Sequence, residues 1–334
     1  MKKIRICCLL LALLLTLSAC GAQNSVNEEK QPVQQETEQL PSDSLKEQTL
    51  LEETAAWILS AVPEPVVGST FGEWAVLGLA RSGAAVPEGY FDAYYKNLEA
   101  YTQNCQGVLD SRKYTEFSRV TLALTAVGKD PADVAGYDLV APLANFDQTV
   151  FQGPNGAAYA ILALSSGDHT LPACPEGAVQ GSVESYAAHL LEKESEGGGW
   201  SLSGGAAEVD MTAMVLQALA HCRNVDGVEQ AIERGLEVLA QSLNSGAEVS
   251  CEGMAQTIVA LTELGIALED ERFAATGKNV VDQLLTFRTA DGGFAHLLGE
   301  EVNQMATEQA FYALAAAHRA EQGMTSLYDM SDVG

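Results

Sequence analysis

Eight side chains stand in or near the first turns of helices that otherwise carry almost no charge: Trp74, Phe117, Tyr159, Asp210, Met214, Gln256, Gln304 and Glu308. They mix aromatic faces with hydrogen-bonding groups. That is the composition of a binding cleft rather than of a covalent catalytic centre. Asp210 is the lone Asp of "EVDMTAMVLQALA", at the start of the fourth such stretch. An acid at a helix start reads first as a cap, then as a ligand contact, and last as a catalytic acid. Met214 joins Met211, Met254 and Met305 near helix starts. Methionines there are core first and a soft rim for a large ligand second. The chain has no HExxH, GxSxG or P-loop run, and its five histidines are scattered, so the motifs of metalloproteases, serine hydrolases and nucleotide enzymes are absent. The catalytic and metal sets are therefore expected to be empty.

The elements that carry these residues repeat. Six Ala/Leu-rich stretches lie near 73–80, 117–127, 156–164, 210–220, 253–264 and 304–317. Each follows a more polar helix: 47–61, 90–104, a short weak one near 137–146, 182–193, 227–243 and 278–288. In 227–243 Val228, Ile232, Leu236, Leu239 and Leu243 form one apolar stripe among glutamates, which marks an amphipathic surface helix. The spacing of roughly 40 to 55 residues signals a repeat architecture. A helix apolar on every side must be covered on every side. The expected fold is therefore all-α: an α6/α6 toroid over residues 46–334, six inner helices sheathed by six outer ones. "GGGW" at 197–200 and "GGF" at 292–294 mark the turns into two inner helices, with Asp210 and Asn303 as their caps. Gly83, Gly128, Gly167 and Gly265 follow inner helices as stops. All inner helices are expected to run parallel, so that their N-termini and dipoles meet at one concave mouth.

The N-terminus reads differently. Lys2, Lys3 and Arg5 precede an apolar run from Ile6 to Leu17, too short to span a bilayer. The run ends in Leu17-Ser18-Ala19-Cys20-Gly21. This resembles the bacterial lipoprotein signal, which implies removal of residues 1–19, lipidation of Cys20, and anchoring to the outer face of a cell membrane. Residues 20–45 are rich in Gln, Glu, Ser and Pro and read as a disordered tether. The chain carries 18 basic and 45 acidic residues, a formal charge of −27. The signal takes three of the bases and none of the acids, leaving −30. So acidic a protein is expected to bind neither nucleic acid nor anionic lipid non-specifically. Cys105, Cys174, Cys222 and Cys251 remain, without a CxxC. Their helix positions leave Cys174–Cys222 as the only pair expected at one end and in adjacent hairpins, bridged only if the Cα atoms lie within about 7 Å.

The glycine-aromatic turns resemble those of the terpenoid cyclase and protein prenyltransferase superfamily. "EVDMTAMVLQALAHC" (208–222) and the stretch 303–332 are similar to the α-barrel of the transcobalamin and intrinsic-factor family, and the latter to the ends of bacterial surface toroids. The prenyltransferase zinc set would need Asp-x-Cys where Asp210-Met211-Thr212 stands, with a later His. The cyclase Asp-x-Asp-Asp run is missing as well. The resemblance therefore implies a non-catalytic binder of a large, corrinoid-like ligand serving uptake, with any β-domain or transporter as a separate partner. The alternatives are an interaction scaffold in a surface complex and a divergent terpenoid-type enzyme.

Overall fold

In a computed structural model, residues 43–334 are described, and side chains from Gln48 onward. The signal peptide, Cys20 and nearly all of the tether lie outside them. The described residues are all-α, with twelve α-helices and no strand. No helix among them is long and apolar enough to cross a membrane. The helices are α1 (Asp43–Ala61), α2 (Trp74–Ser82), α3 (Tyr90–Asn104), α4 (Thr115–Ala126), α5 (Phe146–Thr149), α6 (Pro154–Ser165), α7 (Val183–Glu192), α8 (Val209–Ala220), α9 (Val228–Asn244), α10 (Cys251–Glu263), α11 (Val280–Leu284) and α12 (Gln304–Glu321).

The even-numbered helices are the apolar ones, and they are buried almost throughout. α2 packs on α4, α4 on α6, α6 on α8, α8 on α10, α10 on α12, and α12 on α2. Their starts meet starts. The Phe71 amide, just before α2, donates to Glu308 in the second turn of α12 at 2.8 Å. Thr115, which opens α4, donates to Gln152 just ahead of α6. Their ends likewise meet ends: His221, after α8, lies 2.9 Å from Glu263 at the end of α10.

The glycine-aromatic turns have one shared construction. Gly197, Gly198 and Gly199 all have positive φ, and so does Gly292, a conformation glycine adopts without steric cost. The turn delivers Trp200 or Phe294, both fully buried. Trp200 N–H donates to Thr212 Oγ1, which donates back to Trp200 O; Phe294 and Thr307 repeat the exchange. The threonine is the fourth residue of its helix in both cases, so each turn is buttoned to the helix that follows.

Several expectations are corrected. Asp210 does not cap α8. Glu208 holds the cap position without a side-chain cap bond, and Asp210 sits inside the first turn with its carboxylate on Met211 N–H. Asn303 does cap α12, accepting from Ala306 N at 3.0 Å. Gly83, Gly128 and Gly265 take the left-handed form beyond their helices, whereas Gly167 does not. The outer helix expected at 278–288 shrinks to α11 plus one 3₁₀ turn. All four described cysteines are free. Cys174 Sγ turns back to Ala178 O and Cys222 Sγ to Ala218 O, so each thiol is satisfied inside its own segment rather than bridged.

Residues 325–333 cross the ends of the apolar helices. Arg81 donates to the carbonyls of Leu327, Ser326 and Asp329 and pairs with Asp332 at 2.7 Å. Arg319 reaches the same carboxylate at 2.6 Å, Glu263 accepts from Ser326 and Tyr328, and Met330 N–H donates to Ser166 O. Leu327, Tyr328 and Met330 are thereby buried.

Candidate functional site

The starts of α2, α4 and α12 hold three buried charged residues, Glu73, Arg119 and Glu308, while Arg81 and Arg319 are buried at the opposite ends. Glu73 immediately precedes α2 and is fully buried. Its carboxylate accepts Gly68 N–H at 3.0 and 3.1 Å, the Tyr94 hydroxyl at 3.1 Å, and Arg119 Nε–H at 3.3 Å. Arg119, buried in α4, forks between Glu73 and Glu116. Burial opposes its charge, but the two carboxylates more than offset this and raise its pKa. Its guanidinium lies 6.0 Å from the Trp74 ring centre, within reach of a cation–π attraction.

Glu308 is equally buried, but among the described residues no cation pairs with it. One oxygen accepts Phe71 N–H at 2.8 Å and Gln304 Nε2–H at 2.7 Å. The other, Oε2, has no hydrogen-bond partner among the described residues. Burial pushes the Glu308 carboxyl up to about 7, against the two hydrogen bonds, and the charge of Glu73 adds to the rise. Burial raises Glu73 to about 7 as well, with Arg119 working against it. Two buried acids that titrate near neutrality mark a functional candidate.

Above Glu308 the backbone is strained. Phe71 has φ +63 and ψ +18, a conformation costly for a non-glycine residue. Gly72 follows with no room for a side chain, since a Cβ there would come 2.4 Å from Val66 O. The result is a Phe71 residue left 45 % exposed while its backbone N–H holds a buried acid.

An aromatic and amide network lines the interior beside these acids. Trp74 lies 5.5 Å from Tyr159 and 5.8 Å from Tyr312, ring centre to ring centre. Burial raises the Tyr159 hydroxyl pKa, Arg119 opposing and Asp210 adding to the rise. Gln256 Nε2 donates to Tyr312 Oη and Gln309 Oε1, and Gln256 Oε1 accepts from Gln217 at 2.8 Å.

Of the eight residues singled out in the sequence, Trp74, Tyr159, Gln256, Gln304 and Glu308 therefore fall into two linked clusters. Phe117 is buried against Tyr114 at 5.3 Å. Asp210 is exposed, and Met214 is half-buried against the core. Glu73, Arg119, Glu116, Phe71 and Tyr312 were not anticipated. The available signal was a single charge inside an apolar helix, as in "FSRVTLALTA". Four surface cavities of about 480 to 670 Å³ are lined by other residues. No group of three or more His, Cys, Asp or Glu among the described residues is placed to hold a metal. No family model matches the chain, and no curated protein matches it.

Proposed function

We propose that the six apolar helices close into the inner ring of an α6/α6 toroid, and that its N-terminal mouth binds a large ligand without transforming it. The return of the packing order from α12 to α2 supports the ring. The observation that carries the binding reading is Glu308: a buried acid titrating near 7, one oxygen without a partner among the described residues and the other held by the backbone N–H of the exposed Phe71. Near neutrality such a group donates or accepts a hydrogen bond at little cost, which suits a ligand carrying amides on an apolar body. Phe71 and Met305 supply exposed apolar surface nearby. A corrinoid has that chemistry, and the resemblance to the transcobalamin α-barrel agrees with it. With Cys20 lipidated, the protein would present the mouth outside the cell membrane, where a β-domain protein or transporter component takes the other side of the ligand.

Calorimetric titration with cobalamin and cobinamide tests the proposal. Binding is expected to weaken by about tenfold in Phe71→Ser, which removes an exposed contact worth about 1.4 kcal/mol. Heat that is unchanged in Phe71→Ser and Glu308→Gln places the site elsewhere. No heat with either ligand removes the corrinoid.

A scaffold reading rests on a different observation. Val66, Phe71, Val108, Phe151, Leu202, Leu298, Val302 and Met305 are all exposed and lie in or beside the loops that lead into the apolar helices. Apolar residues gathered on one end of a molecule suit a protein partner. Retention of a surface complex through this end, lost in Leu202→Ser together with Phe151→Ser and without any small ligand, would favour it.

A further inference from the structure

A second recognition surface lies on the flank, away from the mouth. α11 has only five residues, whereas α9 has 17 and α12 has 18. The outer layer is therefore thin beside the second half of α12, and a cavity of about 670 Å³ opens between α1, α11 and α12. Its lining includes Leu50, Leu51, Leu268, Val281, Leu285 and Leu314. Leu50, Val281 and Leu285 are only half-buried, while the other three are core. Glu269, Asp282 and Glu321 stand exposed at its edge. His318 lines it too, and none of its described lining residues is Lys or Arg.

We propose that this groove docks an amphipathic helical segment of a partner protein, with aliphatic side chains on one face and Lys or Arg flanking them. The argument is one of complementarity. An aliphatic floor ringed by charge has the anatomy of a protein interface, an apolar centre and a polar rim. Among the described lining residues, only Asn279 and His318 add side-chain hydrogen-bonding groups other than carboxylates, too few to orient a polar small molecule. Three acids of one sign select a basic partner and repel an acidic one. The chain's own segment 21–42 fits poorly by the same measure, since it holds Glu28, Glu29, Glu36 and Glu38 against the single Lys30. Segments with apolar anchors at every third or fourth residue are the ones that lie in such grooves.

Every basic peptide is drawn to a protein this acidic, so the test must separate the floor from the charge. The probe is a labelled helical peptide with leucines at every third and fourth position and lysines elsewhere, followed by fluorescence anisotropy at physiological salt. Leu285→Glu is the deciding variant. It spoils the floor but adds an acid, and Leu285 is half-buried at the start of the 3₁₀ turn after α11, so the fold is expected to survive, as circular dichroism can check. If the groove holds the peptide, Leu285→Glu and the neutral Leu285→Ser both weaken binding, the first by about tenfold or more. If charge alone draws the peptide, Leu285→Glu leaves binding unchanged or tightens it, and the proposal falls. Gln241→Glu on α9 is the control for an added acid elsewhere. A dimer seen by ultracentrifugation and broken by Leu285→Glu, with no peptide bound, would assign the groove to a second copy and overturn the partner reading.

Discussion

Replacing Glu308 by glutamine should change how stability depends on pH. In the unfolded chain the carboxyl titrates at its ordinary 4.5, and in the folded protein at about 7. Between those values the native state holds a proton that the unfolded state has released. Stability therefore falls as pH rises through this window and levels off above it. At about 1.4 kcal/mol for each pH unit, the gap corresponds to about 3 kcal/mol from this one side chain. Glutamine cannot titrate. Its carbonyl oxygen can still accept from Phe71 and Gln304, and its amide takes the place of the unpaired Oε2. The variant and the wild type should thus be closest to the native protonation balance at low pH. As pH rises, the variant should gain on the wild type by about 3 kcal/mol between about pH 4.5 and 8. Urea unfolding followed by fluorescence of the buried Trp200 at several pH values measures this directly. Glu73 shifts in the same direction, so some pH dependence must remain in the variant. If the difference between variant and wild type is the same at both ends of the window, Glu308 is not held near 7, and the claim of a neutral buried acid at the mouth fails.

Arg119→Met leaves Glu73 buried without its cation and should cost about 3 to 5 kcal/mol, and Glu73→Gln in the same chain should restore much of that; thermal unfolding of the three variants decides it. Gly72→Ala forces a Cβ to within 2.4 Å of the Val66 carbonyl and should lower the melting temperature, whereas Phe71→Gly relieves a positive φ and should raise stability by up to about 1 kcal/mol. Arg81→Met breaks the bonds that hold residues 325–332, so limited proteolysis should cut that segment first. Of the four described cysteines, Cys105 and Cys174 should react with a thiol reagent in the native protein. Cys222 and Cys251 are buried, with thiols pushed up to about 12 and above the usual range respectively, and should react only after unfolding.

The sequence by itself determined the twelve-helix order, because local physics writes it. An uncharged Ala/Leu run has to be buried, an alternating stripe has to lie at the surface, and Asn303 or a glycine at a helix end satisfies the backbone there. It also determined the glycine-aromatic turns, whose positive φ only glycine takes readily. It did not reveal which side chains meet. Arg119 finds Glu73 across 46 residues, and Glu308 finds the Phe71 amide across 237. Those encounters depend on how each helix is rotated about its own axis and slid along it, which packing of the whole core sets. The same holds for Asp210, a cap by pattern yet two residues too far in, and for Cys174 and Cys222, each satisfied by a carbonyl of its own segment. Residues 278–288 show the reverse case: their apolar spacing suits a full helix, but the tertiary structure keeps only α11 and a 3₁₀ turn. The stripe alone could not set that length, because a helix this short is held by what packs against it, here α10 and α12, rather than by its own propensity.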